Sequence, residues 1–286
     1  MTPEDQLTEA HSLNTPPPPR VSVVIVTRNR AASLRRGLAA LGDTHQVIVV
    51  DNASRDETSS LDLEFPAVRF IRLPKNFGYV KAMNVGARSA DGTLILFLHD
   101  DTEISADAVN KLADFLETRT DAAAVCPLLV DRAGNPTRQA RPLPTPANPD
   151  PAYTPAALSG DEIIAQCVSG AAIMLRAFFL KALRDVDERY GNYGSDAELC
   201  QQVKRANRKL IILKNVTAIH EWPLSPERPS DLQGDRAHGT AAFLGKHHGA
   251  MAGILYRLKT GLVALLTFKF SVVLGAFTGD KIDGTR

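Results

Sequence analysis

The residues best able to do chemistry sit where apolar runs stop. In TLILFLHDDTE (Thr93–Glu103), five apolar residues, Leu94 to Leu98, end abruptly in His99, Asp100 and Asp101. Two adjacent carboxylates at such a point suit a hard divalent cation that carries a diphosphate between protein and substrate. The same pattern also suits a helix cap, with Asp101 or Thr102 starting the next helix and Asp100 merely solvated. Other runs end in polar groups too. Thr27, Arg28 and Asn29 close VSVVIVT, Asp51, Asn52, Ala53 and Ser54 follow QVIVV, and His220, Glu221 and Trp222 end a short run at Ile219. In PKNFGYVKAMNVGA, Asn76, Gly78, Lys81 and Asn84 put polar groups and a permissive backbone at the start of a helix, where phosphate can be received.

The elements that must position these groups follow from periodicity. Val21–Thr27, Gln46–Val50, Val68–Arg72 and the run at 94–98 read as buried strands of a mostly parallel sheet. Leu34, Leu38 and Leu41 recur on one helical face, as do Val109, Leu112 and Leu116 in a helix expected from about Ser105 to Thr118. Strand, helix, strand at this spacing implies parallel pairs with right-handed crossovers, and ligands then sit outside the carboxyl ends of the strands. Ala123–Val130, 210–213 and 216–219 supply further strands, 163–175 returns to the core, and DERYGNYGSDAE (Asp187–Glu198) is a polar loop leading into a helix. Seven prolines between Pro136 and Gly160 mark a long loop, expected to be a lid or disordered.

Composition narrows the function. The chain has 286 residues, 44% of them hydrophobic, which can bury a sizeable core. A net charge of +1 offers no electrostatic footprint for nucleic acid. Cys126, Cys167 and Cys200 are far apart and in no metal-binding spacing, so a reducing, cytosolic setting fits best. His238, His247 and His248 lack acidic partners at ligand spacing and are expected at the surface. Residues 1–20 read as a disordered, Pro-rich leader, 21–225 as the main domain, and 226–286 as a helical, membrane-associated extension. Within that extension Gly261–Phe277 carries one charge, Lys269, in 17 residues. Lying in the membrane interface is cheaper for it than spanning, and a buried core helix is the alternative.

The order of motifs resembles that of family 2 glycosyltransferases of the GT-A fold, particularly the bacterial rhamnosyltransferase-like branch. The likeness runs from Val21 to Trp222 and rests on VSVVIVTRNR, VIVVDNASRDET, KNFGYVKAMNVGA, LFLHDDTE, VDERYGNYGSDAELC and AIHEW. It implies an α/β fold with a mostly parallel sheet flanked by helices. It also implies that Asp51 contacts a nucleotide base, that Asp101 ligates Mg2+ or Mn2+, and that Asp196 is the catalytic base. Two positions depart from the family pattern. His99 replaces the first acid of the DXD-like motif, for which Asp100 supplies a carboxylate, and Ser195 replaces the acid before Asp196.

Sugar transfer from a nucleotide diphosphate needs a Lewis acid for the departing diphosphate and a base for the acceptor hydroxyl. Asp101 and His220 are the candidate metal ligands. Thr27, Arg28, Asn29, Asp51, Ser54, Asn76, Gly78, Lys81 and Asp100 are the candidate donor contacts, with Arg28 and Lys81 neutralising phosphate. Asp196 would take the proton, and Trp222 offers a flat face to the acceptor. Plainer roles exist for several of them. Asp51 suits an Asx-turn, Lys81 a solvated helix face, His220 a structural histidine and Asp196 a helix cap.

The expected function is an inverting transferase using a UDP- or dTDP-linked sugar. Its acceptor would be a glycan or lipid-linked molecule of surface polysaccharide synthesis, and the enzyme would sit peripherally on the cytoplasmic face of a membrane. A sugar nucleotidyltransferase would need glycine in TRNRAASL, and a NAD-dependent dehydrogenase would need GxGxxG after the first strand; both are missing. A non-catalytic nucleotide-sugar-binding protein is the remaining alternative, favoured by His99.

Overall fold

The computed structural model describes residues 19–156, 160–191, 193–221 and 229–278. Residues 1–18 of the expected leader and Trp222, the expected acceptor platform, lie outside these ranges. The apolar runs form the strands that their periodicity predicts. β1 (Val21–Thr27), β2 (Gln46–Asp51), β3 (Arg69–Arg72) and β4 (Leu94–His99) lie in the order β3-β2-β1-β4, all parallel. Every residue of β1 is buried, which explains its lack of alternation. The helices α1 (Ala31–Leu41), α2 (Tyr79–Arg88) and α3 (Ala106–Thr118) are the crossovers. Leu34, Leu38, Val109, Leu112 and Leu116 are all buried. α3 is capped by Ser105, whose hydroxyl accepts from the Ala108 N–H at 3.2 Å, so neither Asp101 nor Thr102 is consumed as a cap.

The second half inserts an antiparallel strand. β5 (Ala122–Val130) and β11 (Lys209–Ile219) run parallel to each other, with β10 (Ala172–Arg176) antiparallel between β4 and β5. The expected strands at 210–213 and 216–219 are therefore one strand, with an irregularity between Leu213 and Thr217. β4, β5 and β11 still end on the same edge as β1 and β2. β8 (Glu162–Ile164) closes the far edge.

The Pro-rich stretch is not simply a loop. It contains β6 (Arg138–Arg141) and β7 (Thr154–Pro155), and β6 pairs with both β7 and β9 (Cys167–Val168) in a three-stranded antiparallel sheet. Its prolines fall largely between or at the ends of the strands, where a missing N–H breaks no ladder. α4 (Ala177–Leu183) follows β10, and α5 (Ser195–Arg205) precedes β11. α5 starts at Gly194, whose φ of 99° and contact with the Tyr190 ring suit glycine alone.

α6 (Pro229–His248), α7 (Ala250–Leu266) and α8 (Phe270–Thr278) form the C-terminal part. The expected apolar segment Gly261–Phe277 is broken at 267–269 rather than continuous, with Phe268 at φ 56°. His247 is not at the surface. Its Nε2 lies 2.6 Å from buried Glu198, which also takes Lys246 Nζ at 2.8 Å, the Tyr190 hydroxyl at 2.9 Å and Gln202. Burial opposes the Glu198 charge, but these donors prevail and hold its carboxyl below the usual range. α6 is thereby fastened to α5 through a carboxylate that sequence spacing would leave solvated. All three cysteines are buried free thiols.

Candidate active site

The carboxyl ends of β1 and β4, the start of α5 and the β6–β7–β9 sheet border a cavity of about 630 Å3, and His220, which follows β11, is not among the residues that line it. Its floor is the end of β4. His99 Nδ1 stands 4.0 Å from Asp101 Oδ1, and His220 Nε2, arriving from β11, faces the same oxygen at 3.3 Å. One ligand atom from each of these three residues lies within 4.8 Å of the others. Asp101 Oδ1 is buried, and among the described residues its nearest polar partner is His220 Nε2 at 3.3 Å. Octahedral ligands at about 2.1 Å stand roughly 3 Å apart when adjacent and roughly 4.2 Å when opposite, so this set fits one divalent cation. Burial pushes the His99 imidazole down to about 4, leaving a neutral ring with a lone pair to give. Burial would raise the Asp101 carboxyl, yet His220, His99 and Arg30, whose Nη1 is 3.6 Å away, hold it below its ordinary value. Asp100 goes the other way. Burial, then the charge of Asp101, push it up to about 7 although Thr27 Oγ1 donates to it at 2.9 Å.

The sequence candidates divide into those that line the cavity and those that shape its rim. Thr27, Arg28, Asn29, Asn76, Asp100, Asp101 and Asp196 line it. Asp51, Ser54, Gly78 and Lys81 do not. Asp51 is buried and accepts the Ser54 N–H at 2.8 Å, while Ser54 Oγ accepts the Asn29 N–H at 2.9 Å, so both hold the turn beneath Asn29. The Gly78 N–H donates to Asn76, and Lys81 Nζ lies 5.4 Å above the Phe77 ring. Asn52 bridges the two loops, donating to Asn76 at 2.7 Å and accepting the Phe77 N–H at 2.9 Å.

Asp196, in the first turn of α5, is on the other side of the cavity from Asp101. Gly170 backs the space between, where a methyl group would touch His99 Nε2 at 3.6 Å and Asp196 Cβ at 3.9 Å. Asp196 Oδ1 accepts the N–H of Ala197 at 2.8 Å, and Oδ2 accepts the Tyr153 hydroxyl. Arg141 Nη2 is 3.6 Å from Oδ1, and the guanidinium stacks 4.3 Å over the Tyr153 ring. Arg141, Tyr153, Arg30, Tyr79 and Tyr193 are lining residues that sequence periodicity does not reveal. Glu198 and Asp187, the other acids of DERYGNYGSDAE near the site, do not line the cavity and both pair with Lys246.

Residues 22–183 match the profile described as "Glycosyl transferase family 2". The chain belongs to that family. The matched span includes His99 to Asp101 and stops short of Asp196 and His220. The N-acetylglucosaminyl-diphospho-decaprenol L-rhamnosyltransferase of Mycobacterium tuberculosis is 24% identical over 258 residues, covering 79% of this chain and 84% of that protein. Among solved structures, a mannosyltransferase from Pyrobaculum calidifontis in complex with GDP-Man and Mn2+ superposes with a TM-score of 0.58 at 16% identity, covering 97% of this chain and 81% of that one. Staphylococcus aureus TarS in complex with UDP-GlcNAc gives 0.58 at 15% identity, covering 79% and 66%. The enzyme is thus a glycosyltransferase of the GT-A fold, and the nucleotidyltransferase, dehydrogenase and non-catalytic readings fall away.

Proposed function

We propose that this glycosyltransferase moves a sugar from a nucleotide-diphosphate donor, with inversion, onto a lipid-linked or glycan acceptor in cell-surface polysaccharide synthesis. The observation that carries the reading is that Asp196 lines the same cavity as His99 and Asp101, to which His220 adds a third candidate ligand. His99, Asp101 and His220 would hold a divalent cation, which would supply the Lewis acid for the departing diphosphate. Arg28 and Arg30 add positive charge beside it, Asn29 and Asn76 offer polar contacts to the donor, and Asp100 is held by Thr27. On the far side Asp196 accepts the proton of the attacking hydroxyl. A single carboxylate facing the sugar supports one in-line displacement, because retention by double displacement needs an enzyme nucleophile beneath the ring. Glu198 and Asp187 are turned into the Lys246 cluster and do not supply one. Two imidazoles and one carboxylate suit Mn2+ better than Mg2+, whose preferred ligands are oxygens.

The test is a panel of UDP-, dTDP- and GDP-linked sugars assayed for release of nucleotide diphosphate. Release with at least one donor, abolished by EDTA and restored by Mn2+ more fully than by Mg2+, is the expected result. Full activity in EDTA would remove the metal from the reading.

The lipid-linked acceptor is supported by the name of the mycobacterial relative and by the C-terminal helices. Among the described residues, twelve of the fifteen exposed large apolar side chains fall between Met251 and Phe277. Leu255, Leu258, Leu262 and Leu266 form an exposed stripe along α7. Arg257, Lys259 and Lys269 accompany it, and the sequence holds no acidic residue from Arg236 to Gly279. The helices pack through glycines, as membrane helices do. A methyl group on Gly253 would meet Gly245 Cα at 3.0 Å, and one on Gly275 would meet Gly234 Cα at 2.8 Å. No helix among the described residues is long and apolar enough to cross a membrane. Such a basic, apolar face suits the surface of an anionic bilayer. Burying one leucine contributes about 1.5–3 kcal/mol, so Leu258→Glu with Leu262→Glu is expected to weaken vesicle co-sedimentation by at least roughly 100-fold. Donor cleavage should survive, because both side chains are exposed and remote from the cavity. Unchanged co-sedimentation would overturn this placement.

A further inference from the structure

The candidate base is already engaged before any acceptor arrives. Asp196 Oδ1 holds the Ala197 N–H, and Oδ2 holds the Tyr153 hydroxyl, which also reaches the Val168 carbonyl at 3.4 Å. An acceptor hydroxyl can hand its proton to Asp196 only by coming within hydrogen-bond reach of one of these oxygens. The oxygen occupied by Tyr153 is the one held by a side chain that can move aside. Arg141 stacks on that side chain and is itself nine-tenths buried. Between the two residues, Asp150 ties the connection from β6 to β7 to α6, taking Arg236 at 2.6 and 2.9 Å and lying 3.7 Å from Arg141. Tyr153 therefore sits on a strap with fixed ends, against the base, in the space that an acceptor must enter.

We propose that Tyr153 is an acceptor-side gate whose hydroxyl keeps the place of the attacking hydroxyl on Asp196 until the acceptor displaces it, with Arg141 positioning the ring. The proposal rests on Asp196 being the base. Its use is to prevent waste, since a bound donor beside an accessible base is open to attack by water. In that side reaction the water oxygen bonds to the anomeric carbon and the bond from that carbon to the diphosphate oxygen breaks. The electron pair leaves with the nucleotide diphosphate, and the water proton passes to Asp196. With Tyr153 closed, no water stands on Oδ2. Burial and the neighbouring Asp196 charge raise the Tyr153 hydroxyl well above its ordinary range, so it stays a donor and blocks the base without competing for the proton.

Tyr153→Phe separates this role from others. The ring still stacks under Arg141, while the lost oxygen leaves room for one water on Asp196. With UDP-GlcNAc, dTDP-rhamnose and any further donor that the panel selects, in Mn2+ and without acceptor, the variant should hydrolyse donor roughly 10-fold faster than the wild type. A gain of this kind cannot arise from partial unfolding. Arg141→Lys, which keeps the charge and loses the planar stack, should show a smaller gain and serves if the first variant folds poorly. Hydrolysis equal to the wild type overturns the gate. Hydrolysis below it also does so and makes Tyr153 a proton relay or a positioning residue. Absence of release from every donor by both proteins overturns the gate, and the parent reading falls with it only if the wild type also binds none of these donors in Mn2+, whereas an active wild type with an unchanged variant overturns the gate alone.

Discussion

Asp196→Asn is expected to bind donor and Mn2+ as the wild type does and to transfer sugar about 10²- to 10⁴-fold more slowly, the usual loss on removing a positioned base. That range corresponds to roughly 3–5 kcal/mol of barrier. Binding should survive because Asp196 is not one of the three candidate metal ligands, and Gly170 stands between it and His99. The fold should survive as well. The amide oxygen of asparagine can still accept the Ala197 N–H, and α5 keeps its Glu198 anchor to α6. Single-turnover transfer and donor titration, run on the same preparation, separate the two quantities. Near-normal transfer, or a product that keeps the donor's anomeric configuration, would take Asp196 out of this role. Neither Glu198 nor Asp187 stands ready to replace it, as both are committed to Lys246.

The parts of this architecture legible in the sequence are those set by local periodicity. β1, β2 and β4 are apolar on both faces, and the residues at their carboxyl ends must share one edge because the crossovers make them parallel. Thr27, Asn29, Asp100 and Asp101 follow from that alone. His220 follows from the end of β11, although the antiparallel β10 between β4 and β5 leaves no signal in its own sequence. The residues around Asp196 were hidden for a different reason. Arg141 and Tyr153 sit in a Pro-rich stretch without periodicity, and they reach Asp196 only because β6 pairs with both β7 and β9. The partnership of Glu198 with Lys246 and His247 is likewise a tertiary fact, joining helices that neither charge spacing nor apolar pattern connects. His99 was visible as a departure from the DXD-like pattern, but its meaning depends on where His220 lies.

That meaning leads to the second large effect. If His99, Asp101 and His220 share one cation, His220→Ala should lower Mn2+ affinity by at least about 100-fold, since even partners that only orient a ligand are worth 10- to 100-fold. Asp101→Asn should do more, because Asp101 supplies the anionic member and its Oδ1 is the atom both imidazoles face. The defect should be partly recovered by raising Mn2+ in the His220 variant, as a weakened site can still be filled by mass action. His99→Asp is the discriminating change. It replaces one imidazole with a carboxylate, and oxygen-rich sites favour Mg2+, so the ratio of Mn2+- to Mg2+-supported activity should fall. Electron paramagnetic resonance titration of Mn2+ reads affinity in all three variants without requiring turnover. Wild-type Mn2+ binding by His220→Ala would return His220 to a structural role, and an unchanged Mn2+ to Mg2+ ratio in His99→Asp would mean that His99 faces the donor rather than the ion.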